Sequence, residues 1–391
     1  HPNPVLIMDK HKDIPQLRFP EYKGAREKKT VGDLGVFTGG GTPDTTIAKY
    51  WNGDVPWISS SDIQDDTVQE YLTSRFITDE AIKKSATKIV PQNSILIVSR
   101  VGIGKFAVSK SPVCTSQDFT SLTPLVDNPY FLAYYFKEKT NLFLRFSQGT
   151  SIKGFTGNDI RNMVFQVPSL PEQQKIASFF TAIDQKISQL KHKKTLLEHY
   201  KKGVMQKIFS QEIRFKDDNG QEYPKWEKKK LRDVATKKSS NISANKIEKN
   251  IGDYIIYGAA GILRNINFYE EENDYISIVK DGAGVGRLMY CKGKSSVLGT
   301  MEIIKPLSKI NTYYLYCLLS NIDFAKYVIG STIPHIYFKD YSHEICSIPD
   351  LSEQTKIANF LSAIDDKINN TQKQIEKAEV WKKGLMQQMF V

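Results

Sequence analysis

The chain has 391 residues, too many for one ordinary hydrophobic core, so two domains are expected. Its 40% hydrophobic and 11% aromatic content fits a folded globular protein. A net charge of +11, from 54 Lys and Arg against 43 Asp and Glu, favours a polyanionic partner, because cations that meet phosphates release condensed counterions. Cys114, Cys291, Cys317 and Cys346 form no C-x-x-C pair. That spacing argues against a zinc site and a disulfide framework, suits a reducing cytoplasm, and reads as small buried side chains. No apolar run approaches the ~20 residues that cross a bilayer, and no secretory signal is visible.

In chain order, residues 1–16 form an N-terminal segment, of which 1–7 read as vector-derived ahead of a native start at Met8. A strand-rich globular domain is expected over 17–170. Within it, residues 94–99 read as a strand running into Gly102 and Gly104, and a short helix is expected near 129–139. Residues 171–211 place Ile176, Phe180, Ile183, Ile187, Leu190, Leu197, Val204 and Ile208 in steps of three and four, the seam of a long helix. A second globular domain is expected over 212–350. Its strand at 275–280 runs into Gly282, Gly284 and Gly286, and a short helix follows near 313–320. The last segment, 351–391, carries Ile357, Leu361, Ile364, Ile368, Ile375, Ala378, Leu385 and Met389 with the same periodicity. Lys194, Thr371 and Lys382 interrupt the two seams. About 38 residues at ~1.5 Å each make a rod of roughly 55 Å, which cannot bury its own stripe. The fold class is therefore α+β: two globular domains, each followed by a long helix, with the helices pairing as an antiparallel coiled coil. The alternative is that each stripe packs on its own domain.

The long segments are a repeat. Pro168-Ser169-Leu170-Pro171-Glu172-Gln173-Gln174-Lys175-Ile176-Ala177 matches Pro349-Asp350-Leu351-Ser352-Glu353-Gln354-Thr355-Lys356-Ile357-Ala358 at an offset of 181. The offset holds through Ala182-Ile183-Asp184 and Ala363-Ile364-Asp365, and through Lys201-Lys202-Gly203 and Lys382-Lys383-Gly384. Glu172 and Glu353 stand near helix N-termini, where a carboxylate complements the dipole. Gly203 and Gly384 suggest helix ends or a close helix crossing, since glycine costs ~1 kcal/mol inside a helix. A weaker match opens each domain: Leu17-Arg18-Phe19 with Ile213-Arg214-Phe215, and Glu27-Lys28-Lys29 with Glu227-Lys228-Lys229 at an offset of 200. The second domain is thus 19 residues shorter. Between these ends the two domains barely resemble each other.

Two dissimilar domains, each followed by a similar helix headed P-x-L-x-E-Q-x-K-I-A and carrying A-I-D, resemble the specificity subunits of Type I restriction-modification systems. Val55-Pro56-Trp57-Ile58-Ser59-Ser60-Ser61-Asp62-Ile63 and Gly330-Ser331-Thr332-Ile333-Pro334-His335-Ile336 add to the likeness. The resemblance implies two target recognition domains on double-stranded DNA and a chain without catalytic residues or a cofactor of its own. It further implies two methyltransferase subunits, restriction subunits in the full complex, and S-adenosylmethionine, ATP and Mg in those partners. No membrane is implied, and the location would be cytoplasmic. Readers on a rigid helix pair would touch two short DNA segments at fixed separation, as dimeric readers meet half-sites ~34 Å apart. Because the domains differ, the site would be bipartite and asymmetric. Similar helices would offer two identical partners a pseudo-twofold surface.

Local chemistry supplies the candidate DNA-binding residues. Arg100 and Lys105 flank the first glycine turn, and Lys280 and Arg287 the second; glycine lets backbone approach a phosphate closely. Ser59, Ser60 and Ser61 beside Trp57 can donate to phosphates or base edges. Lys153 and His335 lie in parallel segments near the domain ends, and Tyr257 completes the set. Solvated surface charge and ordinary turn chemistry stay open as alternatives for these residues. Lys228, Lys229 and Lys230 read as backbone contacts or as a solvated face. Asp281-Gly282-Ala283-Gly284-Val285-Gly286 has the wrong spacing for a dinucleotide loop and reads as a hairpin turn. Asn128-Pro129-Tyr130-Phe131 resembles an adenine-methyltransferase motif without its second proline, and reads as a helix start. Two other functions remain in view: a methyltransferase with its own recognition domains, and a two-headed DNA-binding protein outside restriction.

Overall fold

The computed structural model describes residues 15–147 and 154–390. They form two compact units, one of residues up to 192 together with those from 372 onward, the other of 193–371. Among the described residues no helix is long and apolar enough to cross a membrane.

The first unit contains strands β1 (Glu27–Thr30), β2 (Gly35–Gly39), β3 (Val55–Ile58), β4 (Arg75–Ile77), β5 (Ile89–Val90), β6 (Ile95–Ile97), β7 (Phe106–Val108), β8 (Val113–Thr115), β9 (Thr120–Pro124) and β10 (Val164–Val167). They pair as β2-β9-β6-β7, β4-β3-β8-β5 and a β1-β10 ribbon. All three residues of β6 are buried, as expected of a continuous β-branched and Leu run in a sheet covered on both faces. The short helix Pro129–Glu138 buries every residue from Phe131 to Phe136, so it lies inside the core rather than over it.

The second unit repeats this plan with β11 (Glu227–Lys230), β12 (Ala235–Ser239), β13 (Tyr254–Gly258), β14 (Gly261–Ile266), β15 (Tyr275–Val279), β16 (Leu288–Cys291), β17 (Ser295–Val297), β18 (Met301–Pro306) and β19 (Ile345–Ile348). The sheets are β12-β18-β15-β16, β14-β13-β17 and β11-β19. The parallel pair β3–β8 recurs as β13–β17, and the ribbon β1–β10 as β11–β19. Two domains that barely resemble each other between their matching ends thus share a topology, because a pattern of buried and exposed positions can be met by many different side chains.

The long helices are Leu170–Phe209 and Leu351–Met389. Each serves both units: the first half of one packs with the last half of the other, antiparallel. In the first unit, Ile176, Ala177, Phe180, Ile183 and Ile187 share a core with Met386, Met389 and Phe390 and with the helix Pro129–Glu138. In the second, Ile357, Ala358, Leu361 and Ile364 share a core with Ile208 and with Tyr314 to Leu319. The seam therefore does two jobs at once, pairing the helices and closing each domain.

The repeated motif has a structural cause. Glu172 is buried and takes two bonds from Arg18, at 2.9 and 2.7 Å, while Arg26 adds a third at 3.3 Å. Glu353 takes two from Arg214, at 3.2 and 2.7 Å, with the Trp226 indole N–H at 2.9 Å. These carboxylates do more than complement a dipole, since bidentate arginine pairing anchors the entry of each domain to its helix. Gln173 and Gln354 accept from the backbone N–H of Asn128 and Asn311 at 2.8 and 2.9 Å. Those asparagines in turn cap the two short helices, so Asn128-Pro129 is a helix start. Lys382, an interruption of the seam, meets Asp184 at 2.5 Å, and Lys201 meets Asp365 at 2.6 Å. Each aspartate also accepts a tyrosine hydroxyl, from Tyr134 and Tyr313 respectively. Thr371 is buried and returns its hydroxyl to the Lys367 carbonyl at 2.8 Å.

One expectation needs correction. Gly203 and Gly384 neither end their helices nor mark a close crossing: both lie inside the helical spans, and among the described residues no atom of another element comes within 4 Å of where a Cβ would stand. The cysteines are free and buried, and burial pushes the thiols of Cys114, Cys291 and Cys346 up to about 11.

Candidate nucleic-acid interface

Each unit places its glycine turn at one end of its central hairpin. In the first, β6 and β7 pair antiparallel and the turn carries Arg100, Val101, Gly102, Ile103, Gly104 and Lys105. In the second, Ile278 of β15 pairs with Leu288 of β16, and Gly282, Gly284 and Gly286 all take positive φ. The glycines build a hairpin rather than a nucleotide loop opening a helix.

The same backbone frame surrounds both turns. Arg100 bridges Gly154, and Asp281 bridges His335, at the 181-residue offset. The Phe155 N–H donates to the Ser99 carbonyl at 3.1 Å, and the Ile336 N–H to the Lys280 carbonyl at 3.0 Å, again at that offset. The repeat thus reaches into domains where the residues themselves no longer show it.

The frame gathers most of the candidate side chains. Lys105 donates to the Ile63 carbonyl at 3.3 Å and lies 3.7 Å from Asp65, which ties the first turn to the loop after β3. On that loop Ser60 is buried and Ser61 exposed. Ser59 is occupied as a cap: its hydroxyl donates to Asp62 at 2.9 Å and receives Arg75 at 2.7 Å. Arg75 also pairs with Asp62 and stacks 4.6 Å above Trp57. Sequence reasoning passed over Arg75, which lies on a neighbouring strand and belongs to no motif. Arg100 is exposed, and no carboxylate pairs with it among the described residues. Lys153 lies outside the described residues.

In the second unit His335 bridges Asp281, next to Lys280, and the Gly282 N–H donates to the Pro334 carbonyl at 2.8 Å. The His335 ring sits 3.1 Å from the Ile333 carbonyl through Nδ1 and packs edge-on against Tyr337. Lys280 lies 3.9 Å from Asp281. Arg287 reaches back to the Ala259 carbonyl at 2.8 Å, which joins the β13–β14 turn to the cluster. Tyr257 stands apart: it is buried on β13, burial pushes its hydroxyl up, and it edges a cavity of about 880 Å³ with Tyr290, Tyr313 and Tyr316. Lys228 and Lys229 of β11 are exposed and Lys230 is half-buried. Several other lysines here are neutralised, Lys237 by Glu302 at 3.1 Å and Lys238 by Glu271 at 2.7 Å. Among the described residues no cluster of His, Cys, Asp or Glu could hold a metal ion.

A family model described as the Type I restriction modification DNA specificity domain matches residues 25–199 and again 223–380. The chain belongs to this family. It is 28% identical over 386 residues to the Type I restriction enzyme MjaIX specificity subunit of Methanocaldococcus jannaschii, covering 89% of this chain and 88% of that one. To the EcoR124I/EcoR124II specificity subunit of Escherichia coli it is 32% identical over 179 residues, 43% of either chain. Its fold is that of a Type I restriction-modification S subunit from M. genitalium, with a TM-score of 0.67 and 16% identity over 96% of this chain and 99% of that one. Each of the two specificity-domain matches contains one of the two turns of common frame. What differs between them is the side chains presented: Arg100 and Val101 on one, Asp281 and Gly282 on the other.

Proposed function

We propose that this chain is the DNA-reading subunit of a Type I restriction-modification complex. Each recognition domain, 17–170 and 212–350, reads one half of a bipartite, asymmetric site, and the helices 171–211 and 351–391 join them. One observation carries this reading: a single hydrogen-bonded frame occurs twice, with different side chains on it. Equal frames suit equal approaches to DNA, and unequal side chains suit unequal sequences, because base edges are read by side chains and phosphates by position. Arg100, Lys105, Lys153, Lys280, Arg287 and His335 supply cations or donors at the turns. Ser61, with Ser59, Ser60 and Arg75 behind it, supplies a polar loop beside the first turn, and Tyr257 on the central strand β13 supports the second.

The chain itself performs no bond chemistry in this reading. Two methyltransferase subunits, carrying S-adenosylmethionine, and restriction subunits, using ATP and Mg, act where it binds, in the cytoplasm. Mapping modified adenines in a host expressing the chain with and without a cognate methyltransferase tests it. A split asymmetric motif seen only with the partner is expected. Modification by the chain alone would favour a methyltransferase, and no motif in either case a DNA binder outside restriction.

A further inference from the structure

Val101 holds a backbone conformation that valine rarely adopts. It stands at the tip of the β6–β7 turn with φ of +41°, and 58% of its surface is exposed. A β-branched side chain at positive φ is a genuine outlier, since Cβ crowds the backbone there. The equivalent position of the second unit, one residue after the bridging Asp281, is Gly282 at +84°, where a positive φ is free of strain. One frame therefore carries glycine in one copy and valine in the other. The valine adds nothing to a core, because it is exposed. Strain of this kind persists only where the surrounding structure enforces it, and it clusters at sites that meet a ligand. Arg100, also exposed, immediately precedes it.

We propose that Val101 is a base-reading residue of the first unit, setting its isopropyl group against the C5-methyl of a thymine in the major groove, with Arg100 alongside. The inference rests on the DNA-reading role proposed above. The thymine methyl is the distinctive apolar group on base edges in that groove, and an isopropyl group has no hydrogen bond to offer any other feature. In the second unit Gly282 presents no side chain, so this means of recognition belongs to the first half-site alone.

The test uses the chain in complex with its cognate methyltransferase, on a duplex carrying the mapped site. Each thymine of the half-site read by the first unit is replaced in turn by deoxyuridine, which removes only the methyl. For the native chain, kcat/KM for modification should fall about fourfold at one position, the effect of a single lost methyl contact. V101G should be indifferent to that replacement while still rejecting base changes in the other half-site, and V101A should fall between. A purely structural role would move stability and leave the deoxyuridine response intact; here the melting temperature of V101G should hold or rise, since glycine accepts the conformation. Equal responses of native and V101G chains to every replacement, or a first half-site with no thymine on either strand, would overturn the inference. Absence of any site-specific modification would instead defeat the DNA-reading proposal beneath it.

Discussion

The first domain is closed by the far end of the chain. Phe390 is 1% exposed, with its ring 5.2 Å from Tyr135, 5.6 Å from Phe180 and 5.5 Å from Phe131. Its repeat counterpart, Phe209, lies against Trp226 and Tyr314 in the second unit. Removing the Phe390 ring leaves a cavity walled by large aromatics that cannot collapse, and such a change costs about 3–5 kcal/mol. At 1.4 kcal/mol per tenfold, amides that exchange by opening of the first unit should speed up by roughly two to three and a half decades. Amide exchange resolved along the chain is the assay, because a multi-unit chain has no single unfolding free energy. In Phe390→Ala, the helix Pro129–Glu138 and strand β10 should lose protection, while the helix Thr312–Leu319 should keep it. DNA discrimination should be lost at one half-site only. Equal deprotection of both units, or none in the first, would refute the assignment of this ring to the first core.

Three other perturbations have defined outcomes. Lys382→Met leaves Asp184 buried without its cation and should destabilise the first unit by about 3–5 kcal/mol, whereas adding Asp184→Asn should recover much of that, as amide exchange within the first unit can read. Burial alone would raise the Glu271 carboxyl, but Lys238 and Lys305 hold it below the ordinary value of 4.5. Its contribution to folding is therefore present above that value and lost as pH falls through the lowered one, and Glu271→Gln should flatten the acid limb of the second unit's stability curve. Exchange of residues 34–167 for the matching segment of another family member should change one half-site of the methylation motif and leave the other; a change in both would contradict independent readers.

Much of the architecture lies open in the sequence because helix periodicity is local. Steps of three and four mark both long helices within a few residues of Leu170–Phe209 and Leu351–Met389, and the offset of 181 relates them without coordinates. The strands at 95–97 and 275–279 and the helices from Pro129 and Thr312 are legible for the same reason, as runs of buried apolar residues bounded by glycine or capped by asparagine. The identity of Asp184 with Asp365, and of Lys201 with Lys382, is visible too, but not what it is for. Their pairing joins residues 198 and 164 positions apart, each aspartate taking the lysine of the other repeat.

Tertiary structure alone decides which partners complete a local pattern. Nothing near Glu172 in the chain announces Arg18, and nothing near Ser59 announces Arg75, because long-range contacts depend on how sheets and helices stack. The common frame at the glycine turns is hidden for a related reason. Backbone hydrogen bonds hold Ser99 to Phe155 and Lys280 to Ile336, and backbone bonds place almost no demand on side-chain identity. The sequence could diverge freely over a fixed frame. Val101 is a product of that freedom: as a residue type it is ordinary, and only its φ, set beside that of Gly282, reveals that its side chain is held where the fold alone has no use for it.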